Sequence, residues 1–159
     1  MNRRVPLGRV AAIVLAVMVA ACEETLTSRQ RESLLDAGDQ ALMEGRLDEA
    51  AQSFRRVVEA GSADARPYAG LGLAQMRSRR SREALESFQE ATRRAPDNPH
   101  YAQLEAHVLA TLGRTDEAIT AFDRLLAKDP AQPRAAVELI DLLLASGRQK
   151  DAVAVARVA

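Results

Sequence analysis

The chain has 159 residues, of which 47% are hydrophobic and only 3% aromatic, with no tryptophan. A core with so few rings must be built from Ala, Leu and Val, which favours helices that meet at small residues over a sandwich of sheets. The formal charge is balanced, with 22 basic and 22 acidic residues, so no basic field points to nucleic acid as a partner. Cys22 is the single cysteine, which excludes an internal disulfide and a cysteine-rich metal site.

Residues 1–21 have the pattern of a secretory signal peptide. Three arginines precede an apolar run over residues 10–21, whose roughly 18 Å of helix is shorter than the ~30 Å core of a bilayer. The sequence Val19-Ala20-Ala21 ahead of Cys22 resembles the lipobox of bacterial lipoproteins. The resemblance implies cleavage before Cys22 and lipid attachment to that residue. The alternatives are an ordinary cleaved signal peptide that leaves a free thiol, and an uncleaved anchor.

The residues around Cys22 also give an expected location. Lipidation would place the protein in the bacterial cell envelope facing the periplasm, because several acyl chains hold a protein durably on a membrane. Glu23 rather than Asp follows the cysteine, and by resemblance to the Gram-negative sorting rule this favours the outer membrane over the inner one. Residues 22–30 then comprise the lipidated cysteine and a short polar tether, which keeps the following residues near the membrane.

From residue 31 onward, a pattern of small, aromatic and proline residues recurs every 34 positions. A fixed period with helical spacing inside it predicts a helical solenoid. The predicted repeats are 31–64, 65–98, 99–132 and an incomplete fourth repeat over 133–159. Their matching positions are Gly45, Ala50, Phe54 and Ser62; Arg79, Ala84, Phe88 and Pro96; Gly113, Ala118, Phe122 and Pro130; and Gly147, Ala152 and Ala156.

The second repeat reads Tyr68-x-x-Leu71-Gly72-x-x-Gln75, then Ala84-x-x-x-Phe88 and Pro96. This pattern resembles the tetratricopeptide repeat, and the resemblance covers residues 31–159. It implies an all-α fold: a right-handed α-α superhelix of about four helix-turn-helix repeats, the last one incomplete. It also implies a concave groove lined by the first helix of each repeat.

The groove positions of that family are the candidate binding site. Apolar residues between charged ones suit an amphipathic helix or an extended peptide laid along the groove, although the same residues could instead complete the packing between repeats. The family's clamp for C-terminal carboxylates is not implied, because Leu35, Asp39 and Gly70 occupy its positions. The mapped groove residues are Leu35, Asp39, Leu42, Arg66, Ala69, Leu73, Met76, His100, Gln103, His107, Arg134, Val137, Asp141 and Leu144.

Local signals predict where the helices begin. Asn98 ahead of Pro99 marks the start of a first helix, and Pro133 marks the next one. Ser81 and Thr115 are predicted to cap second helices.

Three residues depart from the repeat pattern. Arg79 replaces the turn glycine of repeat two, which predicts a longer or differently shaped turn. Glu105 stands where the pattern has Leu, and Ile140 where it has a small residue. We therefore expect less regular packing in repeats three and four.

The sequence contains no Gly-x-Ser-x-Gly, no His-Glu-x-x-His and no phosphate-binding loop. We therefore expect no enzyme activity, no cofactor and no small-molecule substrate. His100 and His107 share a helix face, and we interpret them as polar groove residues rather than the start of a metal site, because no third ligand accompanies them. The basic residues at 77, 79, 80 and 82 are interpreted as a solvated turn rather than a contact for anionic lipid or an acidic partner.

The first functional hypothesis is a lipid-tethered scaffold that binds a partner protein in its groove and assists the assembly of envelope complexes. The alternative is a non-catalytic accessory or sensor subunit that positions a periplasmic enzyme, and a weaker third hypothesis is a hydrolase-like activity. The sequence stops before the closing proline of repeat four, so Val153, Val155 and Ala156 are expected to be exposed. Either the chain is a piece of a longer protein, or this end docks on a partner or self-associates with a second copy.

Overall fold

The computed structural model describes residues 26–157, which form eight α-helices and no strand within that range. Each helix packs chiefly on its neighbours along the chain, so the prediction of an all-α solenoid is confirmed. The predicted signal peptide, Cys22 and Glu23 lie outside the described residues. Among the residues that are described, no helix is long and apolar enough to cross a membrane. The helices are α1 (Ser28–Met43), α2 (Leu47–Glu59), α3 (Arg66–Arg77), α4 (Ser81–Arg94), α5 (Pro99–Thr111), α6 (Thr115–Lys128), α7 (Pro133–Ala145) and α8 (Gln149–Ala156).

The first helix of a repeat begins at a recognisable cap or proline. Asn98 Oδ1 accepts a hydrogen bond of 3.1 Å from the His100 amide, and Pro99 is the first helical residue of α5. Helix α7 likewise begins at Pro133, so both predicted starts are confirmed. Helix α1 begins after Thr27, whose side chain and backbone form a capping box with Gln30.

The second helices begin differently. Ser81 and Thr115 are the first helical residues and not the caps, and no side chain caps α4 or α6. The cap predictions were therefore wrong. An arginine occupies the N-cap position and pairs with an acidic residue three positions later, for example Arg114 with Glu117 at 2.7 Å. The carboxylate lies in the first turn of the helix, where it faces the positive end of the helix dipole.

The turn at Arg79 has the same form as the turns that contain glycine. Arg79 has a φ of 61°, and Gly113 has a φ of 73° at the equivalent position. In both turns the residue that follows donates a backbone hydrogen bond five residues back, from Arg80 to Gln75 O and from Arg114 to Leu109 O. The predicted change in turn length or shape was therefore wrong. The replacement of glycine by Arg79 instead strains the backbone at that residue, because a residue with a side chain disfavours positive φ.

The core is built from phenylalanine rings set against small residues. Phe54, Phe88 and Phe122 are fully buried. A Cβ placed on Gly38 would lie 2.7 Å from the Phe54 ring, and one on Gly70 would lie 2.5 Å from it. Glycine is therefore needed at both positions for the ring to fit between neighbouring repeats.

The two departures in the later repeats are accommodated in different ways. Ile140 is half-buried and packs against the core cluster that contains Phe122 and Leu139. Glu105 is half-buried and lines a cleft between α4, α5 and α6. Glu105 thus lies beside open space, whereas Ile140 is packed in the core, and the expectation of less regular packing in repeats three and four stays a prediction.

The last described helix leaves apolar surface open. Val153 is 51% exposed and Ala156 is exposed, as predicted. Val155 is instead half-buried and packs against the core of repeats three and four.

Candidate functional site

The first helices α1, α3, α5 and α7 form what we call the first-helix face, which corresponds to the predicted groove. Helix α1 contacts α3, and α5 contacts α7. Side chains also bridge these helices directly, so their outward surfaces are continuous with one another within each pair.

An ion-pair cluster joins α1 to α3. The guanidinium of Arg66 binds Asp39 Oδ2 at 2.7 Å and Glu32 Oε1 at 3.1 Å, with Asp36 Oδ1 at 3.5 Å. The hydrogen bond to Asp39 is the largest cause that raises the pKa of Arg66 above its ordinary value. The sequence placed Asp39 and Arg66 in the groove, and the structure brings the two side chains together.

Apolar side chains lie between the charged groups in the middle of the face. Leu42 is half-buried against the core of repeat one. Leu73 and Met76 are half-buried against the cluster that contains Phe88 and Leu109. These three side chains are partly accessible, so a ligand laid on the face can contact them.

A second polar bridge joins α5 to α7. Gln103 Nε2 donates to Glu138 Oε1 at 3.1 Å, and His107 Nδ1 lies 2.9 Å from Glu138 Oε2. His100 is exposed, and its ring lies beside Tyr101 with 6.1 Å between centroids. The two histidines therefore have different neighbours. Within residues 26–157, no three His, Cys, Asp or Glu side chains are grouped as a metal site.

Helix α7 carries two exposed large apolar side chains. Val137 is 57% exposed and Leu144 is 50% exposed, seven residues apart. Arg134 and Asp141 are exposed on the same helix. Apolar and charged side chains thus alternate along the exposed side of α7, in the order Arg134, Val137, Asp141 and Leu144.

Two of the mapped groove residues are not accessible. Leu35 and Ala69 are buried, Leu35 in the core of repeat one and Ala69 in the cluster around Tyr68. Both side chains pack beneath the face and support its helices. The sequence placed them in the groove because the family's repeat positions do not specify how deeply a side chain is packed. A partner could not touch them without displacing the core.

Three acidic residues of the face were missed: Glu32, Asp36 and Glu138. The sequence did contain a signal for one of them, since Glu32 precedes the oppositely charged Arg66 by one full period of 34 residues. Residues one period apart occupy equivalent places on adjacent first helices, so opposite charges at that separation can pair.

The basic residues around the second turn are partly engaged within the protein. Arg77 Nη1 donates to the carbonyl oxygen of Leu42. Arg80 lies 3.3 Å from Asp48 and 3.9 Å from Glu83. The contacts to Leu42 and Asp48 join repeat one to repeat two at the turn edge.

Family models described as tetratricopeptide repeat match residues 41–108 and residues 104–159. A search of curated proteins gave no match.

The fold is shared with solved structures of low sequence identity. The crystal structure of MamA has a TM-score of 0.77 and 22% identity, over 80% of this chain and 75% of that one. YrrB, "a TPR protein with an unusual peptide-binding site", has a TM-score of 0.72 and 19% identity, over 80% of this chain and 66% of that one. The second TPR domain of human RPAP3, solved with an HSP70 peptide, has a TM-score of 0.68 and 23% identity, over 72% and 95%. These similarities establish the fold, and the identities are too low to transfer a ligand.

Proposed function

Because the chain belongs to the tetratricopeptide-repeat family, we propose that it is a non-catalytic scaffold that binds a segment of another protein on its first-helix face. The observation that supports this most is on α7, where Val137 and Leu144 are each about half-exposed; Val137 lies between the charged Arg134 and Asp141, and Leu144 follows Asp141 by three residues. Apolar anchors two helical turns apart match the spacing of the apolar side of an amphipathic helix. The peptide-binding sites named for YrrB and RPAP3 support the same mode.

The charges of the face give the bound segment a direction. Carboxylates at 32, 36 and 39 lie on α1 and share one cation, Arg66, so this end of the face keeps an excess of negative charge. A partner segment with one basic end would be favoured with that end at α1, because opposite charges attract across an interface.

The tether belongs to this proposal as a separate part. Cys22 in its lipobox-like setting carries lipid and holds the protein on the periplasmic side of the envelope. Glu23 after it favours the outer membrane. A scaffold held there assists the assembly of envelope complexes. Replacement of Cys22 by Ala should release the protein from the membrane fraction, and retention of the variant on membranes would contradict the lipid anchor.

Binding on the face is tested by photo-crosslinking in native membranes. A photoreactive amino acid replaces Leu73, which is half-buried on the face, and in a matched control it replaces Glu86, which is exposed on the second helix α4. The proposal predicts a protein captured from position 73 and absent from position 86. Equal capture from both positions, or lipid alone, would remove the proposal. If the captured protein is an enzyme whose activity requires this chain, the accessory-subunit alternative is favoured.

A further inference from the structure

A cleft of about 730 Å³ lies away from the first-helix face, between α4, α5 and α6. Ala102, Ala121 and Leu125 give it apolar walls, Glu105 adds a carboxylate, and Lys128 stands at its edge. On α5, the cleft residues 99, 102 and 105 occupy a different side of the helix from the groove residues 100, 103 and 107. The cleft and the groove are therefore separate surfaces.

The cleft exists because repeat three lacks two large side chains that repeat two has. Ala102 stands one period after Tyr68, and Glu105 stands one period after Leu71. Tyr68 and Leu71 are only 9% and 7% exposed and fill the corresponding space in repeat two. Replacing a phenol ring by a methyl group leaves the neighbouring helices apart, since packed interiors seldom collapse fully around a missing side chain.

Repeat two shows how a phenol is held in this space. The guanidinium of Arg94 lies 4.2 Å from the centre of the Tyr68 ring. The Tyr68 hydroxyl accepts a hydrogen bond of 2.7 Å from Arg94 and lies 3.4 Å from the carbonyl oxygen of Ser62. A cation and a carbonyl thus hold the hydroxyl from two sides, and the apolar surface of the ring is buried.

The same pair of groups is present at the edge of the cleft. Lys128 stands one period after Arg94, and Pro96 stands one period after Ser62. Lys128 Nζ donates directly to the Pro96 carbonyl oxygen at 3.0 Å and lies 3.4 Å from Asp97 Oδ1, and all three residues line the cleft. The cation and the carbonyl that hold the Tyr68 hydroxyl therefore have counterparts here, and these two groups bind one another.

We propose that the cleft receives a tyrosine side chain from a partner polypeptide. The ring packs against Ala102, Ala121 and Leu125. The Lys128 ammonium donates to the phenol oxygen, and the phenol donates to the Pro96 carbonyl. This inference rests on the proposed function only in requiring a protein partner, because it uses a different surface.

A second copy of this chain does not supply that tyrosine. The chain has two tyrosines. Tyr68 is buried, and Tyr101 is half-buried against the same cluster of Ala65, Tyr68, Ala69 and Ala91. Because both rings pack within their own molecule, the proposal takes the tyrosine from a different protein.

The first test is a titration of the purified 159-residue chain with N-acetyl-tyrosine amide, followed by NMR of labelled alanine methyl groups. The methyl signals of Ala102 and Ala121 should shift and saturate at millimolar probe, because ring currents act on groups that line the site. The methyl of Ala50, which is fully buried in repeat one, should not move. N-acetyl-leucine amide is the control probe. No shift at the cleft, or equal shifts with the leucine probe, would overturn the proposal.

The second test fills the cleft from within. Ala102→Tyr should raise Tm by a few degrees and abolish the methyl response of Ala121. The matched control is Ala136→Tyr, one period later, where the alanine is buried and the new ring should lower Tm. A fall in Tm for Ala102→Tyr comparable to that of the control, or an unchanged titration, would overturn the proposal. Capture from position 73 tests the groove alone, so either site can fail while the other stands.

Discussion

At Arg79 the backbone adopts a left-handed conformation that glycine adopts at the three equivalent turns of the solenoid. A side chain in this conformation costs about 1–2 kcal/mol. Glycine would remove that strain but would lose more conformational entropy on folding, which offsets part of the gain. The strain is confined to one residue, because the hydrogen bonds of the turn are the same as in the other repeats.

We therefore expect Arg79→Gly to stabilise the protein by about 0.5–1 kcal/mol, or roughly 2–4 °C in Tm, measured by thermal unfolding. The matched control is Gly113→Ala. A Cβ there would meet no atom within 4 Å, so only backbone strain acts, and we expect a loss of about 1 kcal/mol. A lower Tm for Arg79→Gly would show that the arginine makes a stabilising contact.

An arginine at the N-cap of each second helix pairs with the acidic residue three positions later. Two hydrogen bonds of 2.7 Å join Arg114 to Glu117. They lower the pKa of Glu117 and raise the pKa of Arg114. A carboxylate whose folded pKa is depressed contributes stability above its unfolded pKa, and that contribution is lost as pH falls through the folded pKa.

Arg114→Gln should raise the pKa of Glu117 towards its ordinary value, which a carboxyl NMR titration would measure. The control Arg148→Gln removes the partner of Asp151 and should leave Glu117 unchanged. The effect on overall stability at neutral pH should be small, because exposed pairs contribute little. An unchanged titration of Glu117 in Arg114→Gln would contradict the assigned cause.

At the scale of the helices, repeats are joined by rings that lie against glycine. Phe54 belongs to α2, yet it lies against Gly38 of α1 and Gly70 of α3. The Phe54 ring thus packs both within repeat one and against the first helix of repeat two. The contact between repeats one and two therefore depends in part on this ring.

Gly70→Ala should destabilise the protein by about 1–3 kcal/mol through overpacking, measured by urea unfolding. In a Phe54→Leu background the same change should cost less, because the smaller side chain leaves room for the new Cβ. A double-mutant cycle reports the difference. An equal cost in both backgrounds would mean that Gly70 is needed for some other reason.

The helices could be predicted from the sequence because their packing contacts recur every 34 residues. Glycine, alanine and phenylalanine at fixed positions determine which faces meet, so the eight helices and the starts at Pro99 and Pro133 were expected. The bridge from Glu138 to Gln103 and His107 was not, since it depends on the rotation between two neighbouring repeats. The same limit explains why buried Leu35 and Ala69 were assigned to the groove. Spacing alone also placed the caps at Ser81 and Thr115 one residue too late.

For the whole molecule, a solenoid of equivalent repeats should tolerate the loss of one whole period. Deletion of residues 99–132 joins Asn98 to Pro133, which preserves the Asn–Pro helix start. We expect a helical chain that unfolds cooperatively at a lower Tm, measured by circular dichroism. Deletion of 99–114 is the control, since it removes α5 alone and places two second helices in succession. If the variant that lacks a whole period were unfolded at every temperature, the equivalence of the repeats would be contradicted.

The proposed function assigns partner binding to the first-helix face, and the second helices lie outside that face. Val137 and Leu144 are exposed on α7, whereas Glu86 and Asp123 are exposed on α4 and α6. Charges added at either pair of positions should leave the core intact, so their effects on binding can be compared directly.

The most direct test is a quantitative pull-down from native membranes with two double variants. The double variant Val137→Arg with Leu144→Arg should bind the partner about tenfold more weakly or worse, since removing two apolar anchors costs roughly 1.4 kcal/mol or more of binding free energy. Glu86→Arg with Asp123→Arg should retain it at the wild-type level. The same set of proteins at equal yield from both variants would contradict binding on the first-helix face.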